Sequence, residues 1–355
     1  FEINDVGFST NPERLDGGFR VGYREINPGS VFRNYNLTLS SFHNWSHEAL
    51  DDTWSLSSWH DARTNGNYSL SLHGQFLNYW NVRSSVRYSP QKMDRRKTRG
   101  GPMMVGPASV SSNLNISSDR RKAMSFGMNF DVADDRVGRG GRYSMRADVN
   151  FRPSDNVSLS LNPSWESSKS GDQYVSATSV LPYSDTYGTR YLFADLDRNT
   201  LSMVTRLDWT FSPTLSLQLF AQPLLSSGDY VRYKQLDEDR TYDFNELVEG
   251  ASTSGGADCN GSICEVDGTQ FVDFDGDGAT DYSFGDRDFN VRSLIGNAVL
   301  RWEYRPGSTI FFVWQRQQAG RSSLGNFNFD RDLRALFDAP AENRFIVKVN
   351  YWLGL

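Results

Sequence analysis

Apolar and polar residues alternate with a period of two through most of this chain, the signature of β-strands with one apolar face. Tyr68, Leu70, Leu72 and Phe76 alternate with Ser69, Ser71, His73 and Gln75. Trp80, Val82, Val86 and Tyr88 alternate with Asn81, Arg83, Ser85 and Arg87. Val110, Leu114 and Ile116 are set between Ser111, Asn113, Asn115 and Ser117, and Met124, Phe126, Met128, Phe130 and Val132 between Ser125, Gly127, Asn129 and Asp131. The pattern returns at 143–151, 157–165, 201–211, 215–221 and 298–304. It is cleanest over the last residues, where Phe345, Val347, Val349, Tyr351, Leu353 and Leu355 flank Lys348, Asn350 and Gly354. Such a strand is expected to close an outer-membrane barrel with its odd-numbered face to lipid and Arg344, Lys348 and Asn350 to the lumen. A β-sandwich would also alternate. The number of long alternating strands, with aromatics at many of their ends, points instead to an all-β, antiparallel transmembrane β-barrel.

The turns divide into two kinds. Phe151–Asn156, Phe211–Thr214 and Tyr304–Ser308 are short and punctuated by proline with Gly, Asp or Ser. The segments at 90–106, 226–290 and 319–341 are long, polar and irregular. Counting back from a periplasmic carboxyl end, the short turns fall in the periplasm and the long loops outside, as in bacterial barrels. The spacing predicts about 16 strands, with 14 as the alternative. Residues 1–65 are the least defined: Phe1–Phe8 reads as a strand or a linker, and 45–60 as a loop or a strand extension. No linker divides the chain, so 1–355 is expected to form one barrel with a long insertion at 226–290.

Composition sharpens this picture. Hydrophobic residues make up only 38% of the chain. A membrane helix needs about 20 consecutive apolar residues, and no window provides them. A barrel strand is only half apolar, so it tolerates this composition. The 23 Phe, 16 Tyr and 9 Trp suit aromatic girdles at the two membrane surfaces. A net charge of −6 argues against nucleic acid as a partner. The chain opens on Phe1 without a leader and reads as a processed or partial chain. Cys259 and Cys264 lie five apart in a Gly/Asp/Ser-rich loop and are expected to form a small disulfide in an oxidising compartment.

Several segments carry a family resemblance: Asp94–Pro102, Arg190–Arg198, Leu300–Ser308, Phe345–Trp352 and the opening Phe1–Phe8. Together they resemble a Gram-negative outer-membrane family known only as a domain of unknown function. In that family the barrel follows an amino-terminal domain resembling a family-nine carbohydrate-binding module. The resemblance covers nearly the whole chain outside 226–290. It implies a barrel in the outer membrane of a Gram-negative bacterium and supplies no catalytic residue. A carbohydrate-related role is implied only as family context.

Candidate chemistry lies mainly in the loops. In Asp273-Phe-Asp275-Gly-Asp277-Gly278-Ala279-Thr-Asp281, carboxylates at relative positions 1, 3, 5 and 9 and Gly at 6 match the start of a calcium loop. The Ala279 carbonyl would add a ligand. Phe284 stands where an EF-hand has its bidentate Glu, so the expected Ca²⁺ is structural, held as in short acidic extracellular repeats, with Asp286 or Asp288 as further candidate ligands. A basic run, Lys92, Arg95, Arg96, Lys97 and Arg99, is expected either to contact lipopolysaccharide phosphates, or to fold inward as a positive ring, or simply to be a solvated loop. Arg146 and Asp148, Arg206 and Asp208, Arg301 and Glu303, and Arg344 and Lys348 share faces pairwise. A charge on the lipid face costs about 2–4 kcal/mol for Arg or Lys at the midplane, so all are assigned to the lumen, as bracing ion pairs or as a solute path. The four histidines, His43, His47, His60 and His73, match no compact metal motif. They read as polar residues of lumen and interface, and the chain is not expected to be an enzyme.

The function expected is a passive or gated channel for small solutes. The alternative is a non-conducting anchor for periplasmic or surface partners. Expected partners are outer-membrane lipid and lipopolysaccharide, the barrel-assembly machinery, and other envelope proteins or an upstream carbohydrate-binding domain.

Overall fold

The computed structural model describes residues 14–353. The chain builds one large antiparallel sheet from β1 (Arg14–Glu25), β2 (Phe32–Ser46), β3 (Arg63–Phe76) and β4 (Asn81–Ser89). It continues through β7 (Ser109–Ser117), β8 (Met124–Asp135), β9 (Gly141–Ser154), β10 (Val157–Thr178), β11 (Arg190–Ser212) and β12 (Leu215–Leu236), and ends with β17 (Phe289–Arg305), β18 (Ser308–Ser322) and β19 (Ala341–Asn350). Strands outside this path are the hairpin β5 (Lys92–Asp94) and β6 (Met104–Gly106), the short β13 (Phe244–Glu246) on β12, and a separate three-stranded sheet of β14 (Ile263–Val266), β15 (Thr269–Val272) and β16 (Tyr282–Gly285). Two helices, α1 (Leu56–Asp61) and α2 (Phe329–Asp338), sit in loops. Among the described residues none forms a helix long and apolar enough to cross a membrane.

Thirteen strands lie on the main path, each paired with its neighbour in sequence order apart from the excursions β5–β6 and β13–β16. About 16 were expected; the long chain segments between strands form helices, the small sheet and extensions of β10–β12 rather than further wall strands. The candidate strand or linker Phe1–Phe8 lies outside the described residues, as do Gly354 and Leu355. Among the described residues, β1 and β19 each have one hydrogen-bonded neighbour.

The cross-strand register fixes which residues share a face, since partnered residues point the same way. One row runs Phe130, Met145, Trp165, Leu201 and Leu225 across five strands. Another runs Leu39, Leu70 and Val86. The opposite face runs Ser40, Ser69, Arg87 and Ser111. The apolar face is the exposed one: Phe19, Val21, Leu70, Met128, Met145, Trp209, Phe312 and Val347 are all open to the surroundings. Along Tyr143–Phe151, Leu201–Phe211 and Phe345–Tyr351 this face carries no Asp, Glu, Lys or Arg, and across the strands between β11 and β19 Arg292 and Arg316 interrupt it, towards the long-loop end. These runs have about the length of a tilted membrane-spanning strand. Aromatics collect at both margins of the band. Tyr23, Trp80, Phe211, Trp302 and Tyr351 lie towards the short turns, and Tyr68, Tyr88, Tyr143 and Trp314 towards the long loops.

The two ends differ as the turn chemistry predicts. Residues 155–156, 213–214 and 306–307 are all that join β9 to β10, β11 to β12 and β17 to β18. In the last, Pro306 presets one turn residue and Gly307 supplies φ of 78°. At the other end β10, β11 and β12 run on to 22 or 23 residues, so the insertion begins after Leu236 rather than at 226. Register shifts at Ser170/Gln173, Tyr174/Ser176 and Phe193/Asp195 mark β-bulges where these strands leave the wall.

This projecting tip has an ordinary core. Leu192 and Ala194 of β11 pack with Val175, Tyr233, Ile263, Val272 and Phe284, so the small sheet covers one face. Phe193, between them, packs with Met104 and Leu236, so the β5–β6 hairpin covers the other. The hairpin is pinned by Val105 N–H to the Thr241 carbonyl (2.9 Å) and Arg240 N–H to the Met103 carbonyl (2.8 Å). Gly101 is required there, because a Cβ would lie 2.2 Å from the Tyr191 ring. The small sheet turns at Asp267-Gly268, both at positive φ (49° and 74°), as a two-residue hairpin demands.

Candidate functional site

The non-apolar face of the wall gathers the charges that sequence assigned to the lumen. Arg146 and Asp148 stand on β9 opposite Asn129 and Gly127. Arg206 stands opposite Ser160 and Asp208 opposite Gln218. Arg301 and Glu303 form an ion pair of 3.1 Å. Arg344 pairs with Glu342 at 2.6 Å instead of sharing a role with Lys348. The other members are satisfied differently. Asp148 accepts from Asn162 at 2.7 Å, Arg206 lies over Phe220, and Lys348 lies over Phe311. Of the four residue pairs expected to brace one another only Arg301 and Glu303 do so, because the facing partners of the rest are mostly Ser, Asn and Gln; other ion pairs on this face join Arg344 to Glu342 and Arg198 to Glu166.

A hub that single-pair reasoning missed is Asp131. Its carboxylate accepts from Asn113 (2.7 Å), Asn129 (2.6 Å) and Ser144 (3.0 Å), tying β7, β8 and β9 together. All four residues occupy the polar register of their strands, which is the signal that could have linked them. Towards the loop end, the wall of β17–β19 bounds a cavity of about 320 Å³ beside Asn297, Gln315, Gln317, Glu342 and Arg344. The lining is rich in side-chain amides, carries both charge signs, and turns apolar at Phe220 and Ile295.

The acidic loop sits between β15 and β16 in the small sheet. One oxygen each from Asp273, Asp275 and Asp281 lies within 4.8 Å of the others. Asp273 is buried and accepts from the Gly276 and Gly278 N–H groups (2.7 and 2.8 Å). Asp281 accepts from Phe274 N–H (2.7 Å). Asp277 stands outside this group, since its carboxylate turns back to the Ala279 N–H at 2.8 Å. Ala279 pairs with Asp258 in an isolated bridge whose hydrogen bonds use the Gly278 and Ala257 carbonyls, not its own. Three hard oxygen donors of the predicted five ligands are thus brought together, a set that suits Ca²⁺ chemistry. Neither Asp286 nor Asp288 joins them. Asp288 lies at the root of the insertion, where it accepts from Tyr230 N–H at 2.7 Å. Burial there, beside Asp286 and Asp229, pushes its carboxyl up to about 6.

Cys259 and Cys264 are joined in a disulfide, with Cα atoms 5.8 Å apart, at the edge of the same module. Next to it, Asp258 accepts from Thr253 N–H and Ser254 N–H (both 2.9 Å) and from the Ser252 hydroxyl (3.0 Å). Those donors hold its carboxyl well below the usual range.

The basic run does not act as one unit. Lys97 pairs with Asp172 at 2.6 Å, Lys92 with Asp94 at 3.8 Å, and Arg99 lies 4.5 Å from the Tyr174 ring centroid. Arg95 and Arg96 are exposed. Lys97 and Arg99 fasten the hairpin to β10, whereas Lys92 is paired within its own strand. Sequence reading also missed the buried Lys234, which donates to Asp195 at 2.5 Å beside Arg232. Its position in a continuous polar–apolar strand gave no sign of burial on both faces.

The histidines are scattered. His43 is buried against Trp45 and Tyr68, His60 contacts Asp61 at 2.8 Å, and His73 faces Arg83 and Asn36 across the sheet. Among the described residues no serine hydroxyl hydrogen-bonds to His73.

No curated protein and no solved structure matches this chain. A family model described as a domain of unknown function, DUF5916, matches residues 1–355. The chain belongs to that family.

Proposed function

We propose that this chain is an outer-membrane β-barrel of a Gram-negative bacterium whose hydrated lumen passes small solutes. The observation that carries the reading is the inverted wall. Its apolar face is open and, along Tyr143–Phe151, Leu201–Phe211 and Phe345–Tyr351, free of formal charge over about the length of a membrane span, while polar side chains line the other face. A water-soluble sheet of this size would expose far more apolar surface than monomers tolerate. Lipid on that face satisfies it, and joining the sheet's edges would leave no unpaired backbone in hydrocarbon. The long loops would then face outward among lipopolysaccharide, the short turns would face the periplasm, and insertion would rely on the barrel-assembly machinery.

A conducting lumen is favoured by the size of the inner side chains. Rows such as Thr38, Ser71, Ser85 and Asn113 are too small to fill the interior of a wall this wide. Opposite charges alternate along it, as at Arg146/Asp148 and Arg206/Asp208, so weak ion selectivity is expected and neutral solutes such as small sugars are the natural first candidates. Ca²⁺ on Asp273, Asp275 and Asp281 would relieve the mutual repulsion of the acidic loop and stiffen the module that caps the β10–β12 tip.

Reconstitution in planar bilayers tests the reading. Discrete conductance steps with little cation/anion preference are expected, and chelation of Ca²⁺ should make the open level noisier. A protein that inserts but never conducts would leave a membrane anchor for envelope partners instead.

A further inference from the structure

Three structural irregularities at the short-turn end converge on one side chain, Tyr79. The first is Tyr79 itself, in the β3–β4 turn (residues 77–80), which takes φ of 67°, a region that aromatic residues seldom occupy. The second is Arg33, the unpaired residue of a β-bulge between the pairs Phe32/Phe76 and Asn34/Gln75. Bulges redirect side chains, and this one brings the Arg33 guanidinium 4.2 Å from the Tyr79 ring centroid. The third is the β7–β8 turn, where Asp119 grips Arg121 through two hydrogen bonds (2.9 and 2.8 Å) and Arg121 lies 3.5 Å from the same centroid. Two cations are thereby held against one ring, Arg121 offset by Asp119 and Arg33 without a carboxylate partner among the described residues.

The surroundings say what would meet these cations. Leu77, Asn78, Tyr79 and Trp80 from one turn, and Ser118, Asp119, Arg121 and Lys122 from the other, border a concave space of about 530 Å³. Met124 and Phe126 continue its wall into the apolar band. Among the described residues Arg33, Arg120 and Lys122 have no carboxylate partner, and Asp119 is fully engaged by Arg121, which with the turn's backbone holds its carboxyl down to about 2. Unpaired cations therefore stand directly beside exposed Leu77, Trp80 and Met124. A phosphate next to hydrocarbon is the chemistry that matches cations next to an aromatic-lined apolar margin.

We propose that this pocket binds the headgroup of an anionic glycerophospholipid. The phosphate sits against Arg121 and Lys122, with Arg33 adding positive charge from beside Tyr79, and the acyl chains run along Trp80, Met124 and Phe126. The site rests on the reading of the wall as membrane-spanning and adds a specific lipid to it. It anchors the first strands of the sheet, since Arg33 belongs to β2, Tyr79 to the β3–β4 turn and Arg121 to the β7–β8 turn.

The test is native mass spectrometry of the full chain in detergent, challenged with equal palmitoyl-oleoyl phosphatidylglycerol and phosphatidylcholine, alongside flotation with vesicles of the same mixture. Preferential retention of phosphatidylglycerol is expected. The preference should fall at least about tenfold in R33Q/R121Q/K122Q, given roughly a fivefold contribution from each basic side chain at an anionic surface. R121Q alone should lower it, whereas R152Q, the same charge lost from the neighbouring end of β9, should not. An unchanged preference in the triple variant that still floats, or equal retention of both lipids by the native chain, overturns the headgroup site and leaves the membrane reading standing. A native chain that stays with buffer in flotation overturns both.

Discussion

Strands β10, β11 and β12 pass through two regions that obey opposite packing rules. In the lower half of β11, Met203 and Trp209 are open and Leu201 and Leu207 half-buried on one face, while Ser202, Arg206 and Asp208 line the other. In its upper half, Leu192, Phe193 and Ala194 are consecutive, apolar and all buried. The backbone ladder is nearly the same in both. On the reading proposed above, what differs is the medium: the lower half meets lipid on one face and water on the other, and the upper half meets water all around. In the upper half the small sheet and the β5–β6 hairpin supply the apolar contacts that cover the strand. One strand would then serve as membrane wall and as globular core, provided loops are long enough to cover it.

The contrast can be broken most forcefully in the tip. Phe193→Ala removes a fully buried ring and should cost about 3–5 kcal/mol of local stability. Hydrogen exchange should show loss of protection in the hairpin and small sheet, while the wall from 201 to 211 keeps its protection. If the wall loosens equally, the two regions are one cooperative unit. Next comes the wall. Met203→Arg places a charge on the outer face and should cost about 2–4 kcal/mol in bilayers. Ser202→Arg, one residue away on the polar face, should be nearly neutral by urea unfolding in vesicles. Equal costs would contradict the assignment of faces.

Removal of the disulfide by Cys259→Ser with Cys264→Ser should destabilise the tip module by about 2 kcal/mol and leave the wall unaffected, as read by limited proteolysis between 250 and 290. The smallest expected effect is a pH dependence. Burial raises the Asp288 carboxyl to about 6 from an ordinary 3.8. The folded protein holds that proton where the unfolded chain has released it, so the contribution is present at acid pH and is lost as pH rises from about 4 to 6. Hydrogen exchange at the root of the insertion should speed up through that window, and Asp288→Asn should flatten the change.

Much of the wall was legible in the sequence because period two survives where each face meets a different medium. Met124–Val132 and Phe345–Val349 are assigned to the same faces by pattern and by register. The extent of β10–β12 was not, because the alternation stops where loops bury both faces. Tyr191-Leu-Phe-Ala194, an unbroken apolar run, was the available sign of that change. Within the acidic loop, spacing foretold the grouping of Asp273, Asp275 and Asp281 but not the departure of Asp277. A carboxylate one residue from a free N–H can cap its own turn, and spacing does not distinguish the two uses. Helix α2 escaped notice because its start signal, Asn328 capping Arg331 N–H, is a single residue in a polar loop. The Tyr79 cluster was invisible for a different reason. It depends on a bulge and a left-handed turn residue that bring three separate segments together.

The claim that the sheet is inverted, apolar face to lipid and polar face to water, is tested most directly by spin labels along β11 in reconstituted vesicles. Single labels from 201 to 209, in a background with both cysteines replaced, are challenged with oxygen, which concentrates in lipid, and with a nickel chelate, which stays in water. Odd-numbered positions should respond to oxygen and even-numbered positions to nickel, alternating without interruption. Nickel access at both sets of positions would mean that the outer face meets water, and the barrel would fall with it.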